Sequence, residues 1–208
     1  AMAGETYQDR VKEEKRVASV AAATKLFFEQ GYGATSLQQI AKLADVSTAT
    51  LFKRYPTKAS LFEAIVEEFW TLESGCHADV LVGDPNASLS KIGRDYAERM
   101  RQPRMVAIFR LIIAESLRFP DLGQMLFDRG FEPYLDRLSA YVLDETEAGN
   151  LMVPDAKLAA QAFLATIAGQ AFWPELMAPG CGGTDEGLSV IIDEAVATFL
   201  ARYGAKLA

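Results

Sequence analysis

The chain has 208 residues with 21 Lys and Arg against 28 Asp and Glu, a net charge of −7, and half of its residues are hydrophobic. That supplies a packed core and excludes a uniformly basic nucleic-acid coat. The longest apolar run, Met105 to Ala114, is broken by Arg110 and is far short of the ~20 residues a membrane helix needs, so no membrane partner is expected.

Charge is unevenly spread. Residues 1–60 hold nine Lys and Arg against six Asp and Glu, and the remainder twelve against twenty-two. A small basic front end on an acidic body is the expected layout. The two cysteines, Cys76 and Cys181, have no CxxC spacing and fit a reducing compartment. Neither a metal nor a cofactor is expected. The polar start AMAGETYQDR has no apolar signal-peptide core.

Helical spacing dominates from end to end, and an all-α fold of about nine helices is expected. Val17, Val20, Ala23 and Phe27 mark one face of the first helix, which the glycines of EQGYG end. Thr35 and Ser36 are N-cap candidates for a short second helix, with Gln38 and Gln39 placed for a capping box. After the turn at Asp45-Val46, Ser47 caps a third helix that Pro56 closes. Thr57 caps a fourth, striped with Leu61, Phe62, Ile65, Val66 and Phe69. VGDPNAS then makes a loop, and helices follow over about 88–101, 103–118, 127–147 and 156–177. The last repeats Leu188, Ile191, Ile192, Ala195, Val196, Phe199 and Leu200 at three-four spacing. Domain limits are expected at 1–56 and 57–208.

Ser36 to Tyr55 has helix-turn-helix proportions. Ile40, Ala41, Ala44, Val46 and Leu51 form its shared core, with the small Ala41 where the helices cross. Thr48, Thr50, Lys53 and Arg54 then point outward. Short hydroxyls let a helix approach a major groove and bond phosphates or base edges, and cations neutralise phosphate. Tyr55 and Lys58 are further candidates for phosphate. The same residues also fit a solvated basic turn between two amphipathic helices. In the arm before them, Arg10, Lys12, Lys15 and Arg16 alternate with Asp9, Glu13 and Glu14, which fits DNA backbone or a solvated helix start.

From Ala22 to Phe62, AATKLFFEQGYGATSLQQIAKLADVSTATLFKRYPTKASLF resembles the N-terminal domain of the tetracycline-repressor (TetR) family of bacterial regulators. ESLRFPDLGQML and NLMVPDAKLAAQAFLATIAG are similar to the C-terminal domain of AefR-type members. The resemblance implies a homodimer on a near-palindromic double-stranded DNA operator, acting as a repressor in the bacterial cytoplasm at the nucleoid. Its body would bind a small, mainly apolar effector. By position, Ser36 and Gln38 begin the supporting helix near the DNA backbone, and Ser47, Thr48 and Thr50 face the groove. Asp45 and Ala49 stand where the family favours glycine, and Phe52 replaces a phosphate-binding tyrosine.

In the body, the helix from Pro103 is apolar nearly all round except at Arg110 and Glu115, so it is expected at the centre. Those two either pair structurally with other helices or face a cavity. The candidates for the pocket that the resemblance implies are Phe109, Arg110, Ile113, Glu115, Phe127, Phe131, Tyr134, Phe163 and Trp173. Phe163, Ile167, Ile192, Ala195 and Phe199, on the last two long helices, are the expected dimer contacts. His77 lies next to Cys76, and adjacent helical residues diverge, so no Cys–His couple is expected. HExxH, P-loop and GxSxG motifs are absent, and the expectation is no enzyme. A DNA-organising or partner-recruiting protein without small-molecule control is the alternative.

Overall fold

The computed structural model describes residues 7–71 and 82–205. Cys76 and His77 lie outside the described residues. Among those described, every element is helical: α1 (Tyr7–Gln30), α2 (Leu37–Leu43), α3 (Thr48–Arg54), α4 (Lys58–Thr71), α5 (Pro85–Met100), α6 (Pro103–Glu115), α7 (Asp121–Leu126), a π-helical turn (Phe127–Phe131), α8 (Glu132–Glu147), α9 (Ala156–Ala171), α10 (Trp173–Met177) and α11 (Asp185–Tyr203). One isolated antiparallel bridge joins Leu151 to Gly204.

Two short helices exceed the expected set. α7 fills what the sequence reading leaves as a loop, and the expected 156–177 helix divides into α9 and α10. Pro174 explains the break. It has no N–H to offer the carbonyl four residues back, and it sits in the first turn of α10, where none is needed.

Contacts gather the chain into two units, Ala1–Glu68 with Leu111–Arg129, and Phe69–Arg110 with Gly130–Ala208. The first therefore takes in most of α4 and residues 111–129, beyond the 1–56 limit expected. Its core is aromatic: Phe27, Tyr32, Phe62 and Phe119 stack in sequence, with Tyr32 5.1 Å from Phe27, 5.9 Å from Phe62 and 5.0 Å from Phe119 between ring centroids.

In the second unit α9 packs against α5, α8, α10 and α11. Gly93 on α5 permits the close approach. A Cβ there would lie 3.1 Å from Ile167, 3.2 Å from Phe163 and 3.3 Å from Ile192. All five expected dimer residues, Phe163, Ile167, Ile192, Ala195 and Phe199, are accordingly buried inside a single chain. The three-four repeat marks a buried face, and this chain's own helices bury it.

Glu145 is a fully buried carboxylate in this unit. It accepts from the Tyr141 hydroxyl at 2.6 Å, Asn150 Nδ2 at 2.7 Å and the Gly83 N–H at 3.1 Å. Burial, reinforced by the neighbouring carboxylate, pushes the Tyr141 phenol well above its ordinary pKa. Arg99, also buried, donates to the carbonyls of Phe69 and Trp70 at the end of α4.

Candidate nucleic-acid interface

The helix-turn-helix is built from local bonds. Ser36 caps α2: its hydroxyl accepts from the Gln39 N–H, and Gln39 Oε1 accepts from the Ser36 N–H at 2.7 Å, a complete capping box. At the end of α2, Asp45 takes φ +52°, the left-handed conformation that a short polar side chain tolerates. The turn is then pinned by the Val46 N–H donating to the Ala41 carbonyl at 3.1 Å. Ser47 caps α3 by accepting from the Thr50 N–H at 3.1 Å, and the two hydroxyls lie 2.7 Å apart.

Packing fixes which way α3 faces. Ile40, Ala41 and Leu51 are buried between the helices. With Leu51 inward, Thr48, Ala49, Thr50, Phe52, Lys53 and Arg54 are all exposed. Gln38 is exposed on α2, and the cap residue Ser36 is half-buried. The structure thus brings Ser47, Thr48, Thr50 and Lys53 together on one short exposed helix start and face.

Three candidates are placed differently from expectation. Tyr55 is only 7% exposed: it follows Leu51 by one helical turn on the inward side, so its ring belongs to the core and is not presented to phosphate. Lys58 turns inward too. Its ammonium donates to the carbonyls of Tyr32 at 2.7 Å and Gly33 at 3.4 Å and lies 4.6 Å over the Tyr32 ring. Burial lowers its pKa, opposed by the nearby Glu115 carboxylate and aided by Arg118. Arg54 remains exposed, but its guanidinium reaches back to the Lys12 carbonyl at 3.3 Å. In the arm, Arg16 pairs with Glu13 on its own helix and with Glu68 on α4, and the two carboxylates raise its pKa.

The candidate pocket residues do not form one site. Ile113, Glu115 and Phe127 fall in the first unit and the other six in the second. α6 is one-sided rather than central: Met105, Val106, Ile108 and Leu111 are buried while Arg110 and Ile113 are exposed. Arg110 is spent on the carbonyls of Glu175 at 2.9 Å and Leu176 at 3.0 Å, where α10 ends. Glu115 accepts from the Gly33 N–H at 3.0 Å. Phe127 and Trp173 are exposed, Phe127 at the first position of the π-helical turn. Phe109 packs on Phe172 at 4.7 Å and Phe163 on Phe199 at 5.7 Å, both as core. Tyr134, with Phe131, belongs instead to a cluster the sequence did not single out: Trp70, Tyr96 and the buried Arg99, whose guanidinium lies 5.9 Å from the Trp70 and Tyr134 rings.

A capped helix-turn-helix with hydroxyls and a cation on its outer face, in an all-helical chain, is the architecture of a helix-turn-helix transcriptional regulator. Known proteins give the particular class. Residues 20–65 match the family model of bacterial regulatory proteins of the tetR family, and residues 87–205 match the C-terminal domain of AefR-like transcriptional repressors. The flavonoid-responsive regulator FrrA is 30% identical, with a TM-score of 0.76 over 94% of this chain and all of that one. A TetR-family regulator from Mesorhizobium loti MAFF303099 is 25% identical, with a TM-score of 0.75 over 93% of this chain and 98% of that one. Among curated relatives, the HTH-type regulator YvkB of Bacillus subtilis (strain 168) is 28% identical over 116 residues, and the match spans 51% of this chain and 61% of YvkB. The chain belongs to the TetR family, with an AefR-like C-terminal domain. No described helix is long and apolar enough to cross a membrane.

Proposed function

We propose that the protein is a homodimeric, sequence-specific DNA-binding repressor whose hold on a near-palindromic operator is loosened by a small aromatic molecule. The observation that carries the DNA part is the outer face of α3, where Thr48, Thr50 and Lys53 are exposed together beside the Ser47 cap. Hydroxyls there suit base edges and phosphate, and Lys53 suits phosphate. Two copies related by a two-fold place their α3 helices in successive major grooves, ~34 Å apart or somewhat more on a distorted site.

The dimer contact is assigned to outward faces, because the residues first expected there are core. α9 exposes Leu158, Ala162, Ala165 and Gly169, and α11 exposes Val190 and Ala197. These are mostly small or apolar and suit close helix packing between two copies in a four-helix arrangement. Selection from random duplexes, with sedimentation of the protein alone, tests both parts. A recovered palindrome and a dimer at micromolar concentration support them. A monomer without sequence preference refutes them.

The effector reading rests on FrrA, named as flavonoid-responsive, and on the cluster of Trp70, Tyr96, Arg99, Phe131 and Tyr134 in the second unit. The rings suit the faces of a planar aromatic ligand, while the Arg99 guanidinium stays on the carbonyls of Phe69 and Trp70. Such a ligand acts only by preferring the DNA-incompetent conformation. Adding a flavonoid panel to the protein–operator complex tests this. Release by at least one compound, lost in Tyr134→Ala, is expected; binding unchanged by any of them favours a regulator without small-molecule control.

A further inference from the structure

Phe52 is 38% exposed on α3, between residues that the proposed reading turns toward DNA. Three residues earlier Ala49 is exposed as well. Helical spacing sets these two on adjoining parts of the outer face, flanked by Lys53 and Thr50. An apolar strip therefore runs across a face otherwise made of hydroxyls and cations.

A phenyl ring offers phosphate and polar base edges no hydrogen bond, and covering those groups with it would leave them unsatisfied. On the floor of a B-DNA major groove the apolar feature is the C5-methyl group of thymine, and aromatic or methyl side chains are its usual partners. Cytosine presents an N–H donor in that part of the groove and no methyl. We infer that Phe52, with Ala49 beside it, is a specificity-determining contact that reads one thymine methyl group in each operator half-site. This inference rests on the DNA-binding reading above and adds to it a base identity and the atom recognised.

The burial of one methyl predicts the size of the effect. In a selected operator, replacing the contacted thymine by deoxyuridine, which lacks only that methyl, should weaken binding by roughly fourfold per half-site. Scanning deoxyuridine through each thymine in turn locates the position. There, a C·G pair should bind less well than T·A, and 5-methylcytosine should recover part of the loss. Phe52 is at the surface, so Phe52→Ala should fold and bind with its thymine–uracil ratio reduced to about one, whereas Phe52→Leu should keep an intermediate ratio. Equal binding of thymine and uracil operators at every position would overturn the inference while leaving sequence-specific binding intact. Retention of the full ratio in Phe52→Ala would overturn it equally. Absence of any preferred sequence would instead bring down the DNA-binding reading, and this inference with it.

Discussion

The two units use their polar side chains in opposite ways. On α3, Thr48, Lys53 and Thr50 are displayed, and the Ser47 cap beside them is an exposed hydroxyl as well. In the second unit, polar groups are consumed internally. Arg99, Arg101 and Arg110 each donate to main-chain carbonyls, at the end of α4, at Gly183 and at the end of α10, and Glu145 gathers three donors in a buried site. Carbonyls at a helix C-terminus have no partner within the helix, so a guanidinium there satisfies what water otherwise would. The contrast shows that a count of charged residues says little about binding until each charge is assigned to an inner or outer task. Lys58 makes the point within the first unit, where it behaves like the arginines of the second.

Glu145 tests the contrast most severely. Glu145→Ala removes the acceptor shared by the Tyr141 hydroxyl, the half-buried Asn150 amide and the Gly83 N–H, and should cost about 2 kcal/mol, a fall in melting temperature of about 4–8 °C. An unchanged melting curve would show that the buried network is dispensable.

Lys58 and Lys53 sharpen the division next. Lys58→Ala should destabilise the first unit by about 1–2 kcal/mol, because two carbonyls and the Tyr32 ring lose their cation, while the salt dependence of operator binding stays as it was. Lys53→Ala should do the reverse, reducing the salt slope by roughly one per half-site with stability within about 0.5 kcal/mol of wild type. If both lysines alter the slope, Lys58 is not committed inward in the complex.

The smallest effect concerns the loop after α10. Glu175 accepts from the N–H groups of Gly180 at 3.0 Å and Gly182 at 3.0 Å, and these hold its carboxyl below the ordinary 4.5. A depressed carboxyl pKa contributes stability above the unfolded value that is lost as pH falls through the folded one, so the loop should loosen only below about pH 4.5. The amide shifts of Gly180 and Gly182 followed by NMR should titrate there in wild type, and this titration should be absent in Glu175→Gln.

Much of the first unit was legible because its determinants are near neighbours in sequence. Ser36 and Ser47 each bond the N–H three residues on, and Asp45 adopts the left-handed turn that its short polar side chain tolerates. Tyr55 was also within reach, since it repeats the buried Leu51 at a spacing of four; its proximity to Lys53 and Arg54 suggested phosphate instead. Lys58 left no such signal. Its acceptors lie 26 and 25 residues away, and only the fold brings them to it. The same limit applies to Phe163, Ile167 and Ile192. Periodicity marks them as buried, but only the packing around Gly93 tells an intramolecular core from an interface. The inward placement of Trp70, Tyr96 and Arg99 around Tyr134 likewise joins positions on three helices.

The Glu145 site also orders events in time. Its bond to Gly83 closes 62 residues of chain, whereas the bonds that build the helix-turn-helix caps close three. Loop closure of that length is costly before the surrounding helices have assembled, so the contact belongs on the native side of the folding barrier. Removing it should then leave the refolding rate of the second unit almost unchanged and accelerate its unfolding. Stopped-flow denaturant jumps on Glu145→Ala, read by the tryptophan fluorescence of Trp70 and Trp173, would show the lost stability in the unfolding limb. On this account the Glu145 contact lengthens the native lifetime of the body without hastening its folding.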